Sequence, residues 1–162
     1  METAGAPANM LDPRVKTAWR IQTAIVAIPL LFVSLLVAGG FILTDLSSTV
    51  AILIPLVAVV FAVLWLWPVP EVRYRRWRWE VTELEVCLQH GLIVIERTVI
   101  PMVRIQHVDT SQGPIMQAFG LSEVKVSTAA GAHAIPALAD EDAGALRDKI
   151  AVLARVRDDG GL

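Results

Sequence analysis

The sequence predicts an α+β membrane protein: an N-terminal hairpin of two transmembrane helices, then an antiparallel β-barrel or sandwich capped by a C-terminal amphipathic helix. Three observations carry that prediction. Two long runs, residues 21–43 and 50–67, are almost wholly apolar and contain no charged residue. After Tyr74 the apolar residues recur at every second position, the period of a half-buried strand. Beyond Asp140 the period changes again, with Ala143, Leu146, Ile150 and Leu153 on one helical stripe.

The two apolar runs hold 23 and 18 residues. At roughly 1.5 Å of rise per residue they reach about 34 and 27 Å, which brackets the hydrocarbon thickness of a bilayer. The polar hexapeptide 44–49 between them is too short to let the helices part, so they are expected to lie antiparallel, with both chain ends on one side. Arg14, Lys16 and Arg20 precede the first run, the connecting loop has no Lys or Arg, and Arg73, Arg75, Arg76 and Arg78 follow the second. By the positive-inside bias both termini are expected in the cytoplasm, in a cytoplasmic (inner) membrane crossed twice. A secretory signal peptide is the competing reading of the first run. A run of 23 apolar residues exceeds the usual length of such a signal, and a second span follows at once, which favours uncleaved insertion. Ser34 with Ala38, and Ala58 with Ala62, form small-residue pairs through which the spans could approach. Trp65 and Trp67 are expected as anchors at the cytoplasmic interface.

Flanking segments complete the expected organisation. Residues 1–17 read as a disordered tail, 18–68 as the hairpin, 69–76 as a short stiff basic linker begun by Pro68 and Pro70, 77–156 as the β domain and 157–162 as a disordered C-terminus. Within the β domain, Trp77, Trp79 and Val81 alternate with Arg78, Glu80 and Thr82, and Leu84, Val86 and Leu88 with Glu85, Cys87 and Gln89. Gly91 closes a turn, and residues 92–95 read as a continuously apolar strand that runs on to Pro101. Further strands are expected at 105–111, 122–128 and 132–137. Pro114, between Gly113 and Gly120, starts one or two helical turns. Asp140 caps a helix over 141–155 whose first turn is acidic. Half-buried strands in this number must close or sandwich to hide their edges, and a terminal helix can cover the open end.

Composition narrows the function. The chain is 55% hydrophobic with a mean hydropathy of +0.59, yet from Glu71 onward 11 Lys or Arg face 13 Asp or Glu. That slightly acidic balance argues against nucleic acid, whose phosphates need a basic face. The single Cys87 cannot form an internal disulfide, lies on the polar side of its strand and has no basic neighbour in sequence to activate it. His90, His107 and His133 lack partners at ligand spacing, so no metal site is expected. No nucleophile elbow or phosphate loop is present, and neither catalytic residues nor a cofactor are expected.

The stretch RIQHVDTSQGPIMQAFGL at 104–121, with WEVTELEVCLQHGLI and ERTVIP before it and VKVSTAAG after it, resembles the bacterial pleckstrin-homology-like (PH-like) family of YdbS-like membrane proteins. The likeness covers roughly residues 18–155 and rests on Arg104, Gln106, Val108, Gln112, Gly113, Pro114, Phe119, Gly120 and Leu121. Where such proteins often carry an Arg beside the short helix, this chain has Gln117 and Ala118. The resemblance implies a PH-like barrel at the inner face of the cytoplasmic membrane that is not an enzyme, often accompanied by a larger membrane partner bearing related domains.

Three functions are compatible with these features. The first is a membrane-tethered interaction module that binds a protein by strand addition at an open sheet edge or through the closing helix. The second is recognition of anionic lipid head groups by Arg73, Arg75, Arg76 and Arg78, each worth about 1 kcal/mol near an anionic leaflet. The plainer role for these arginines is to fix topology. The third is an accessory subunit of a membrane enzyme or transporter, with the hairpin as contact surface. Neither span carries the ionisable residue that transport would favour.

Overall fold

A computed structural model describes residues 7–44 and 48–159. It forms two compact units, one made of residues 16–71 and the other of the segment up to Val15 together with Val72 onward.

The helical unit contains α1 (Val15–Leu43) and α2 (Ser48–Leu66), both long and apolar enough to cross a membrane. Pro29 and Pro55 lie inside unbroken helices. The helices are antiparallel neighbours. Near the start of α1, Lys16 pairs with Glu71 at 3.4 Å, and the Arg20 guanidinium lies 5.3 Å from the centre of the Trp67 ring, a cation–π contact. Ala38 and Ala51 are buried and Ser34, Ala58 and Ala62 half-buried, whereas Ile28, Leu35 and Leu64 point outward. Small residues therefore line the covered stripe and large ones the outer face, a distribution suited to lipid rather than water. Part of the expected interhelical loop, residues 45–47, lies outside the described residues.

The linker expected at 69–76 is instead helical, as α3 (Pro68–Arg76). Proline ends a preceding helix but suits the first turn of the next, where its missing N–H has no partner to lose. Glu71 in the first turn and Arg73, Arg75 and Arg76 in the last follow the helix dipole.

The other unit is a sandwich of two three-stranded antiparallel sheets. The first has the order β1 (Arg78–Val81), β2 (Glu85–His90), β3 (Glu96–Pro101), and the second β4 (Ile105–Ser111), β5 (Leu121–Thr128), β6 (Gly131–Ala139). A 3-10 turn, Met102–Arg104, joins them, and α4 (Pro114–Ala118) lies between β4 and β5. Alternation places Val86, Leu88 and Ile100 from one sheet and Leu121, Val124, Val126 and Ile135 from the other in the core. There they meet Met102 and the α5 (Asp140–Asp159) residues Ala143, Leu146 and Ile150. α5 packs on the 3-10 turn and on all three strands of the second sheet.

Three further expectations need correction. Residues 92–95 are not a strand; they form the β2–β3 loop, and β3 begins at Glu96. Four successive apolar residues cannot all face one core, and the pairing of His90 with Glu96 closes the ladder before them. The C-terminal helix runs through Asp159 rather than ending near 155; residues 160–162 lie outside the described residues. Of the tail expected to be disordered, residues 7–17 are ordered, and residues 1–6 lie outside the described residues. Asn9 exchanges backbone hydrogen bonds of 3.0 Å with Trp79 on β1, and the Asp12 N–H donates to Ala137 O on β6 at 3.1 Å. This strap stitches one edge of the first sheet to one edge of the second. Leu11 and Val15 are its apolar pegs, 3% and 0% exposed. Ala137, at φ 53°, lies at a β6 bulge opposite Ser122 and Val124, which turns its carbonyl to the strap.

Candidate interaction surfaces

With β1 covered by the strap, the open strand edge beside the closing helix is that of β4. β4 pairs with β5 on one side only. On its other side a groove of about 610 Å³ lies between β4 and α5. Val103, Ile105 and Val108 line it from the corner and strand, Ala151 and Ala154 from the helix, and Gln106, His107 and Arg155 supply its polar groups. The small alanines on this face keep α5 from filling the groove. Val152 and Val156 continue the apolar surface outward along α5, each more than half exposed. On β4 itself His107 Nε2 lies 3.0 Å from Asp109 Oδ1. Such an arrangement, backbone groups at a strand edge above apolar side-chain slots, is chemically suited to receive an extended peptide.

Most of the remaining motif residues build the support for this face. Gly113 caps α4, and its carbonyl accepts from the Gln117 N–H at 2.9 Å; Pro114 occupies the first turn. Gln112 Nε2 donates to Leu121 O at 3.1 Å and to Asp140 Oδ1 at 2.8 Å. Ser122 Oγ donates to the same carboxylate oxygen at 2.7 Å. The Asp140 carboxylate thus fastens the β4–β5 connection to the start of α5. Phe119 O accepts from Arg14 Nη1 at 3.0 Å, while the Arg14 guanidinium also holds the Asp12 carboxylate, keeping it below its ordinary pKa. Gly120 has φ 62°, a conformation that favours glycine, and Leu121 is fully buried. Arg104 is exposed at the end of the 3-10 turn. Of the nine motif residues, only Gln106 and Val108 line the groove.

The arginines fall on a different surface. Arg73, Arg75 and Arg76 share the last turn of α3, and Arg78 opens β1, where its Nη1 donates to Trp77 O at 3.1 Å. Arg76 Nη1 donates to the Leu92 carbonyl of the β2–β3 loop. Across the same hairpin Arg97 donates to Gln89 at 3.0 Å. Trp65 stacks on Phe61 with ring centres 5.3 Å apart, and Trp67 is 69% exposed.

His90 and His133, 43 positions apart in sequence, line one cleft of about 310 Å³ together with Arg73, Trp77 and Glu123, and His90 stacks on Trp77. Sequence spacing gave no hint of that meeting, which depends on the two sheets facing each other. Among the described residues no three His, Cys, Asp or Glu side chains converge as a metal site. Burial, aided by the neighbouring Glu85, pushes the Cys87 thiol up to about 11, so it is protonated and a poor nucleophile at neutral pH.

Comparison with known proteins fits this architecture. The model of the bacterial PH domain family matches residues 23–154. The chain is 40% identical over 153 residues to UPF0699 transmembrane protein YdbS of Bacillus subtilis (strain 168), covering 94% of this chain and 96% of that protein. It is 32% identical over 76 residues, 46% of this chain, to UPF0699 transmembrane protein YdbT of the same organism, where the match is 15% of a much longer protein. No solved structure matches. The two apolar helices and the β sandwich capped by its last helix therefore have one explanation: this chain belongs to the bacterial PH domain family, as a two-span, YdbS-like membrane protein.

Proposed function

We propose that the protein is a non-catalytic interaction module of the cytoplasmic membrane, whose PH-like domain binds a membrane-protein partner on the cytoplasmic side. The observation that carries this reading is the open edge of β4 beside the groove under α5. Unpaired strand edges are normally blunted or covered, and this one lies next to exposed Val103, Val152 and Val156. The orientation rests on the distribution of basic residues around the spans. The partner is expected to be a larger membrane protein carrying related domains, the kind of chain to which the partial likeness with the longer Bacillus relative points. The test is site-specific photocrosslinking in native membranes with the full-length protein. A crosslinker at Gln106 should yield a discrete membrane-protein adduct that one at Gln117, on α4 beyond the other end of β4, does not. Retention of the same companion by residues 1–70 alone would overturn this reading and assign the association to the hairpin.

A second reading, anionic lipid recognition, is favoured by the three arginines in one helical turn directly after the second span. It predicts that changing Arg73, Arg75, Arg76 and Arg78 to Gln weakens contact with anionic bilayers in a salt-dependent way.

A further inference from the structure

We propose that the β2–β3 loop is a membrane-dipping element, in which Leu92, Ile93, Val94 and Ile95 enter the interfacial layer of the bilayer that the helices cross. The loop presents four consecutive apolar side chains. Ile93 is 94% exposed and Val94 70%, with Ile95 and Leu92 also exposed. Runs of this kind at a surface mark an interaction site rather than chance exposure. The shape is fixed by the turn that opens it. Gly91 has φ 130°, and a Cβ there would stand 1.8 Å from the Val94 carbonyl oxygen, so the chain doubles back tightly and holds Ile93 at the tip. A protrusion already held in this form has little conformational entropy left to lose on insertion.

Three features single out lipid as the occupant. α3, nine residues long, is all the chain between Trp67, which ends the second apolar run, and Trp77, which enters the β domain. Arg76 in its last turn donates to the Leu92 carbonyl, fastening the loop to the segment by which the chain leaves the membrane. Arg76 places a cation against the base of the apolar loop, the order of charge and grease met at a leaflet whose anionic head groups overlie acyl chains. Finally, Ile93 and Val94 stand largely clear of the rest of the domain, and neither of the clefts described above includes the four loop residues; protein-binding anchors instead fill or form pockets. This inference goes beyond the arginine reading, because salt does not screen the burial of apolar side chains, and it stands whether or not β4 receives a partner.

The experiment places an environment-sensitive nitrobenzoxadiazole label at Ile93→Cys in a Cys87→Ser background of the full-length protein. The labelled chain is reconstituted in phosphatidylcholine vesicles containing phosphatidylglycerol. A second labelled protein carries Ala130→Cys on the β5–β6 turn. The label at position 93 should emit to the blue of that at 130. It should be quenched severalfold more by shallow spin-labelled lipid, resist aqueous iodide, and keep this pattern in about 0.5 M salt, where exposed charges are screened beyond about 4 Å. Equal behaviour of the two labels overturns the proposal. So does protection from iodide without quenching by lipid, which would mean that protein, a second copy included, covers the loop. Loss of the lipid signal in high salt would reduce the contact to arginine electrostatics and likewise overturn insertion.

Discussion

Replacing Leu11 with alanine tests whether the segment ahead of the first span is part of the β domain. Leu11 is 3% exposed, and the segment is joined by backbone bonds to β1 and β6. Truncating a buried leucine to alanine costs about 2–5 kcal/mol, the lower part of the range applying where the surroundings can close in. Leu11 borders a cleft of about 420 Å³ whose other walls include Leu138, Ala145 and Leu146, so relaxation is available and about 2–3 kcal/mol is the appropriate figure. At about 4–8 °C per kcal/mol for a domain near 100 residues, the β domain should melt about 10–20 °C lower. Alkylation of Cys87 provides a local readout, because this thiol lies on β2 and is suppressed in the fold. Full-length protein in micelles is warmed stepwise and pulsed with iodoacetamide at each temperature. Met10→Ala is the control: Met10 is 43% exposed, and its bond from the Trp79 indole N–H goes to the backbone carbonyl, which alanine retains. Equal melting of the Leu11 variant and wild type would refute the assignment of this strap to the domain.

The remaining predictions concern the same domain. Asp140→Ala removes the shared acceptor of Gln112 and Ser122; with the carboxylate exposed, about 1–2 kcal/mol should be lost, while Asp140→Asn, which keeps an oxygen, should cost less than half of that in the same melt. Equal losses would show that the acceptor does not hold the network together. At pH 8 native Cys87, with its thiol near 11, should alkylate about 200-fold more slowly than an ordinary thiol of pKa about 8.5, and Glu85→Gln should accelerate it. Because the shift is upward, its contribution to stability is complete below the unfolded thiol pKa and disappears as pH rises towards 11; a pH-independent melting temperature between pH 8 and 11 in wild type, matched by Cys87→Ser, would contradict it. Gly91→Ala should destabilise the β2–β3 hairpin by more than about 2 kcal/mol through backbone strain and collision with Val94, seen as faster amide exchange at the paired residues Gln89 and Arg97.

The spans, the strands and the closing helix were legible because each announces itself locally: uncharged apolar length, period two, and an apolar stripe behind an acidic first turn. Ile105–Ser111 and the Pro114 turn emerged at their expected places for that reason. What the sequence hid was decided by distant partners. Leu11 and Val15 sit in a segment with no period of its own, and only β1 and β6, more than sixty residues away, give it a shape. Residues 92–95 look like the most buried strand of the domain by composition, yet the ladder ends at His90 and Glu96 and leaves them outside. The motif at 104–121 drew attention to glycines and Gln112, whose contacts prove to be architectural. The groove depends on α5 lying beside β4, and no local pattern encodes that adjacency.

Because the strap belongs to the sandwich, the membrane hairpin is an insertion within a discontinuous domain rather than an anchor appended to it. The ribosome therefore releases the first piece of this domain before either span, and the piece must wait through synthesis of nearly the whole chain for β6 and α5 to receive it. A fragment trimmed to begin at Arg73 would be missing two of its own core side chains. Studies that seek a water-soluble version should instead splice residues 7–15 back onto the remainder through a short flexible bridge.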